Sequence, residues 1–154
     1  MMYFGMLAFG IEHVLYITSM AIRFPGYEMN LLWSALGSAA IVGVMFLVCV
    51  YAMKMQFGKF LITSIAYAFL LCWFVVLSAT YVKPAQGSAS AGILLAGAIL
   101  FVLSDMVLSM TYFSKPADYE RKGMLNPESR LMIIVNHATY YLAQFLIALS
   151  LLFI

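Results

Sequence analysis

The sequence predicts an all-α fold, a polytopic membrane bundle of five transmembrane helices. Three observations carry that expectation. Of 154 residues, 66% are hydrophobic and 9% are charged, and mean hydropathy is +1.03. A water-soluble domain averages about 45–50% apolar and about 25% charged residues, so this chain cannot cover itself with polar groups. Apolar runs near 3–22, 31–53, 60–82, 90–113 and 131–153 each reach the roughly 20 residues needed to cross a hydrocarbon core of about 30 Å. The eight basic residues (Arg23, Lys54, Lys59, Lys83, Lys115, Arg121, Lys122 and Arg130) all fall between those runs, as do Glu28, Asp118, Glu120 and Glu128. The composition excludes a soluble enzyme, a disordered linker and a disulfide scaffold. A net charge of +2 is too small to imply a nucleic-acid partner.

In lipid every backbone amide is bonded within its own segment, so these runs are helices despite their β-branched and aromatic content. The first lacks a basic leader, carries Glu12 and His13 mid-run and exceeds the usual signal-peptide core, which reads as a retained helix. Pro25-Gly26 ends it. In the second, Ala35, Ala39 and Gly43 recur four apart beside Ser34 and Ser38, a spacing that lets helices approach closely. The third, Phe60 to Val82, is aromatic and nearly featureless, and is expected to face lipid over much of its surface. Lys83-Pro84 and Lys115-Pro116 end the third and fourth runs, and Asn126-Pro127 with Glu128 precedes the fifth. Ser114 to Arg130 forms a headgroup-level loop of mixed charge. The chain thus reads as one transmembrane domain, 1–154. Cys49 and Cys72, the two cysteines, sit inside apolar runs and are expected to be buried thiols.

Lys and Arg counted by side set the orientation. Six lie with the N-terminus and the second and fourth loops, two on the opposite side, which places the N-terminus in the cytoplasm and the C-terminus outside. The plasma membrane is the expected location.

A mid-bilayer carboxylate costs roughly 2.5–3.5 kcal/mol on insertion scales, so Glu12 and Asp105 require a reason. At about 100° per residue, Glu12 shares a face with Gly5, Ala8, Tyr16 and Ser19, and His13 sits a quarter turn away. Asp105 shares a face with Ala98, Phe101, Ser109 and Tyr112, with Ser104 before it. His137, Tyr141, Gln144 and Ala148 align on the last helix, with Tyr140 at the edge. At the helical rise, Glu12, Asp105 and His137 lie about 10–14 Å from the helix ends on the basic side. Three helices thus bring ionisable groups to one level. A functional site and a structural clamp both fit that pattern. Zinc would need three or four such groups converging at about 2.0–2.2 Å; no close-spaced ligand motif exists, so neither a metal nor another cofactor is expected.

Three stretches resemble a known family. They are Gly5-Met6-Leu7-Ala8-Phe9 with His13 and Tyr16, then Gly97 to Leu108 with its Phe101-x-x-Ser104-Asp105-x-x-Leu108 core, then Tyr140-Tyr141-Leu142-Ala143-Gln144-Phe145-Leu146-Ile147-Ala148. In this order they are similar to the YhhN-like lysoplasmalogenase family of multi-pass membrane proteins. That resemblance implies a hydrolase cleaving the vinyl ether bond of lysoplasmalogens to a fatty aldehyde and a glycerophospho-base. It also implies about eight helices and two aspartates, one in a Gly-Asp pair and one in the Ser-Asp pair. Here the Ser-Asp aspartate is Asp105 and no Gly-Asp pair occurs. The chain resembles the family from its fourth helix onward, a short form lacking the N-terminal helices. Glu12 departs from the family pattern, where the residue before the histidine is small; it is the carboxylate available to stand in for the absent aspartate.

Vinyl ether hydrolysis needs a proton delivered to carbon, and a carboxylic acid in apolar surroundings suits that task. Asp105 and Glu12 are therefore the candidate catalytic residues. His13, Tyr16, Ser104, His137, Tyr140, Tyr141 and Gln144 are the candidate substrate contacts, and the partners expected are a lysophospholipid and the surrounding lipid. The runner-up reading is a non-catalytic membrane protein whose polar residues only hold helices together. A small transporter comes last, because no pair of broken helices marks a transport site.

Overall fold

The structure, a computed structural model, describes residues 2–23, 28–82, 89–120, 123 and 126–152. Its helices are α1 (Met2–Arg23), α2 (Glu28–Leu47), α3 (Leu61–Val82), α4 (Ala89–Phe113), the single turn α5 (Pro116–Tyr119) and α6 (Arg130–Leu151). All but α5 are long and apolar enough to span a membrane, and among the described residues there is no strand. The chain is a multi-pass membrane bundle. Phe4, Ile22, Tyr51 and Ile62 stand out from its flank almost uncovered, a surface that only lipid tolerates. Some polar side chains within the spans turn back on their own helices, as Ser38 does to the Ser34 carbonyl and Ser78 to that of Phe74. Pro25-Gly26 and Lys83-Pro84 lie outside the described residues.

The closest helix pair is α4 with α6, and its seam has a seven-residue period. The Ser90 hydroxyl donates to the Ser150 carbonyl at 3.0 Å. One heptad on, Gly97 lies against Ala143 and Ile147. One further, the Ser104 hydroxyl donates to both the carbonyl (3.1 Å) and Oδ1 (2.9 Å) of Asn136. Thr111 closes the series on the Pro127 carbonyl. Small and hydroxyl residues at 90, 97, 104 and 111 meet 150, 143 and 136, the repeat of a coiled-coil seam built for lipid.

Helix α3 occupies the middle of the bundle, against α1, α2 and α4. Phe74 and Leu77 are among the most deeply buried side chains, and they join Ile17, Leu94, Ala98, Phe101, Ala143 and Ile147 in one core. The expectation that this segment faces lipid is wrong. Its aromatic residues conceal a helical face of Ser64, Tyr67, Leu71, Phe74, Ser78 and Tyr81, spaced three or four apart. On α2 the packed face is also displaced from the expected stripe. Ser34, Ser38 and Val42 are buried, and Trp73 Nε1 donates to Ser34 Oγ at 2.9 Å. Ala39 and Gly43 are exposed, and no neighbour approaches where a Cβ on Gly43 would stand.

The segment joining α2 to α3 is not a loop lying on the surface. After Leu47 the helix widens into a π turn, Val48–Ala52, and Lys54 takes the left-handed region (φ 53°). The Met55 amide then donates to the Cys49 carbonyl and the Gln56 amide to the Phe113 carbonyl. These bonds turn Met55 and Phe57 inward, where they bury against Phe113. Beyond α4, the Tyr119 hydroxyl donates to the Thr111 carbonyl at 2.6 Å. Burial, with the Glu128 and Asp118 carboxylates nearby, pushes the Tyr119 phenol above its ordinary pKa, so it stays a donor. Ser129 caps α6 by accepting from the Met132 amide.

Candidate active site

A cavity of about 630 Å³ lies at the end of the bundle where α1 begins, α2 and α4 end and α6 begins. That is within the range of about 300–1,000 Å³ usual for small-molecule sites. Its wall is overwhelmingly apolar, with Met6, Phe9, Phe46, Met55, Leu71 and Phe113 prominent. Leu103, Met106 and Tyr112 line it and are also about half exposed on the bundle's flank, so it opens sideways toward lipid. Among the described residues lining it, none is basic.

The polar groups on this wall come chiefly from α3 and α4. The Tyr67 hydroxyl donates to Asp105 Oδ2 at 2.5 Å, and Ser64 lies one turn from Tyr67 on the same face of α3. Asp105 reaches the wall because Ser104, its neighbour, points into the seam with α6; the next residue, about 100° around, faces α3. The seam thus fixes the rotation of α4 and so the direction of the carboxyl. Tyr67 was not among the residues read from the sequence. The signal that could have found it is the Ser64–Tyr67–Leu71–Phe74–Ser78 spacing.

The other candidates divide into three groups. Glu12 does not line the cavity. Its Oε1 accepts from Tyr16 Oη at 2.7 Å, on the same helix, and from Gln144 Nε2 at 3.0 Å, on α6. Tyr140 stands beside this tie, edge-on to Phe9 and Phe101 with ring centroids 5.7 and 5.8 Å away. His13 is fully buried in a box of Tyr16, Phe74 and Phe101. Its Nδ1 donates to the Phe9 carbonyl at 2.8 Å, and Nε2 has no partner among the described residues. Ser104 is spent on Asn136. His137 and Tyr141 are exposed on the outer side of α6, His137 bonded only to the Ile133 carbonyl among the described residues. Five of the seven expected contacts therefore surround the Glu12 tie or the helix seam, and two face lipid. None of the seven lines the cavity. Among the described residues, no three His, Cys, Asp or Glu side chains come together.

The match to the family model for the YhhN family runs over residues 1–151, nearly the whole chain. The chain belongs to the YhhN family. No curated protein matches it, and no solved structure does. Within this YhhN chain the Ser-Asp pair divides its labour, the serine locking α4 to α6 and the aspartate lining the cavity.

The Glu12 tie makes a testable distinction. Gln144 Nε2 and the Tyr16 hydroxyl are both donors, and an amide oxygen at position 12 would accept from both. Glu12→Gln is therefore expected to keep the fold and most of any activity, whereas Glu12→Ala removes the acceptor shared by the half-buried Gln144 amide and Tyr16 phenol and lowers stability by about 1–3 kcal/mol. Thermal unfolding of both variants in detergent, beside turnover, checks this. Loss of turnover in Glu12→Gln with an unchanged melting temperature would make the charge itself functional.

Proposed function

We propose that this protein is an integral membrane hydrolase that cleaves the vinyl ether bond of lysoplasmalogens to a fatty aldehyde and a glycerophospho-base. The observation that carries the reading is the Asp105 carboxyl, bonded by Tyr67, on the wall of an apolar cavity open to lipid. A single-chain lipid can enter sideways without leaving the bilayer. An unpaired charge buried against such a wall is costly, which favours the carboxylic acid form of Asp105.

With Tyr67 donating to Oδ2, the acid proton sits on Oδ1. It passes to the β-carbon of the alkenyl group as the double-bond electrons form the new C–H bond, leaving an oxocarbenium ion beside the Asp105 carboxylate. Water adds to the cationic carbon and returns a proton to Asp105. The resulting hemiacetal collapses as its hydroxyl proton moves to the glycerol oxygen, releasing aldehyde and alcohol. One water is consumed and the acid is regenerated. Tyr67 orients the carboxyl throughout. Glu12 serves as a tie between α1 and α6 and not as a second acid.

The same reading places the N-terminus and the cavity end, with Lys54, Lys59 and Lys115, on the cytoplasmic side of the plasma membrane. The lipid itself is the partner. A non-catalytic bundle is the second reading, favoured by the number of polar groups engaged in helix-to-helix bonds: Ser104 with Asn136, Gln144 with Glu12, Ser90 with Ser150. Aldehyde release from lysoplasmenyl-ethanolamine by the purified protein in detergent separates the two.

Cavity occupancy has its own test. Gly5 lines the cavity, and nothing lies within 4 Å of where its Cβ would be. Gly5→Leu gains somewhat less than the roughly 0.8–1.0 kcal/mol of helix propensity that separates glycine from alanine, while its side chain fills space the substrate needs. The expected result is an intact fold with KM raised by more than about tenfold, the loss of even 1.4 kcal/mol of binding. Unchanged kinetics would put the substrate elsewhere.

A further inference from the structure

Among the described residues seven serines are buried: Ser34, Ser38, Ser64, Ser78, Ser90, Ser104 and Ser150. Six of them donate to a carbonyl of their own helix or of the facing one. Ser64 alone among these has no partner for its hydroxyl among the described residues, although it is only 6% exposed. In a membrane interior an unpaired hydroxyl is disfavoured, and a serine in a helix has a ready remedy in the carbonyl four residues back. Ser64 does not take it. Its side chain lines the cavity, one helical turn from Tyr67 and on the same face.

We propose that Ser64 is a substrate contact, receiving the free glycerol hydroxyl next to the vinyl ether. This rests on the hydrolase reading and names the group that reading leaves without a partner. Two oxygens of such a lipid lie close to the reacting carbons, the ether oxygen and the neighbouring hydroxyl. The ether oxygen gives up electron density as the oxocarbenium ion forms, so a donor on it would oppose the reaction. The hydroxyl changes neither charge nor bonding, and as donor and acceptor it can satisfy a serine in either sense. A site that bonds a substrate hydroxyl discriminates against analogues lacking it, because its own group is then left unpaired.

The experiment compares lysoplasmenyl-ethanolamine with its 2-deoxy analogue on wild type, Ser64→Ala and Ser64→Thr. Wild type is expected to favour the free hydroxyl in kcat/KM by on the order of tenfold, the worth of one hydrogen bond. Ser64→Ala should lose that preference while melting no lower than wild type, since it removes an unpaired group; Ser64→Thr should keep the preference. A preference that survives in Ser64→Ala, or a marked fall in its melting temperature, overturns the assignment. Should wild type cleave neither lipid, the same comparison is read as Kd for the saturated 1-O-alkyl lysophosphoethanolamine and its 2-deoxy form. Discrimination abolished by Ser64→Ala then supports the contact even though the hydrolase reading has failed, and equal affinities in wild type sink it.

Discussion

Replacing Asp105 by asparagine is expected to cut aldehyde release by at least about a hundredfold while leaving the bundle folded. The amide has the shape of the carboxyl, and its oxygen still accepts from Tyr67, but it has no proton to give. Removing a positioned general acid costs about 10²–10⁴ in rate, and the loss should fall on kcat with KM little changed, because the apolar wall that holds the chain is untouched. Tyr67→Phe makes the complementary statement. It removes the bond that orients the carboxyl and is expected to lower kcat by a smaller factor. In the double variant the Tyr67 change should cost nothing further, since orienting an amide without an acid proton has no consequence. Aldehyde release by the four proteins in one detergent forms the cycle. Independent, multiplying losses would mean that Tyr67 contacts the substrate directly and does not act through Asp105.

What could be read from the sequence follows from which physical constraint is local. Hydrophobic length is local, so the five spans and their ends fall within a few residues of the structure, the second included once its π turn is counted. The inward fold of Met55 and Phe57 after that turn was not legible, because the Gln56 amide bonds to the Phe113 carbonyl of α4, which no local window of sequence contains. Asp105 was legible because a carboxyl in a membrane span must be accounted for. Its partner was not, because a tyrosine in an aromatic-rich helix costs nothing and attracts no notice. Of the three ionisable groups expected at one depth, Asp105 and His137 stand level across the Ser104–Asn136 bond, whereas Glu12 meets Gln144, seven residues farther along α6; nor does depth fix azimuth. Rotation of α6 is set by Ala143, Ile147 and Asn136 entering the seam, which sends His137 and Tyr141 outward. The seven-residue recurrence of Ser90, Gly97, Ser104 and Thr111 was in the sequence throughout, but each residue is small enough to pass as filler.

Gly97 is where that seam is least forgiving, and Gly97→Ala is expected to destabilise the protein by about 1–3 kcal/mol, the usual cost of overpacking. A Cβ there would stand 2.8 Å from Ile147 Cγ1, 3.0 Å from the Ile147 amide nitrogen and 3.1 Å from the Ala143 carbonyl oxygen. Two of those three atoms are backbone, so α6 must move away and no rotamer change suffices. Trimming the side chain in Gly97→Ala/Ile147→Ala removes the first clash and leaves the other two, and rescue should therefore be partial at best. Gly92 on the same helix, with nothing within 4 Å of its would-be Cβ, is the control. Gly92→Ala should be neutral or stabilising by up to about 1 kcal/mol. Because the seam also sets the rotation of α4, Gly97→Ala should weaken the Tyr67–Asp105 bond and lower turnover even at temperatures where the protein remains folded. Thermal unfolding and aldehyde release measured on the same preparations decide it. A Gly97→Ala protein as stable as the Gly92→Ala control would mean that α4 and α6 do not approach this closely, and the aim of Asp105 into the cavity would lose its physical basis.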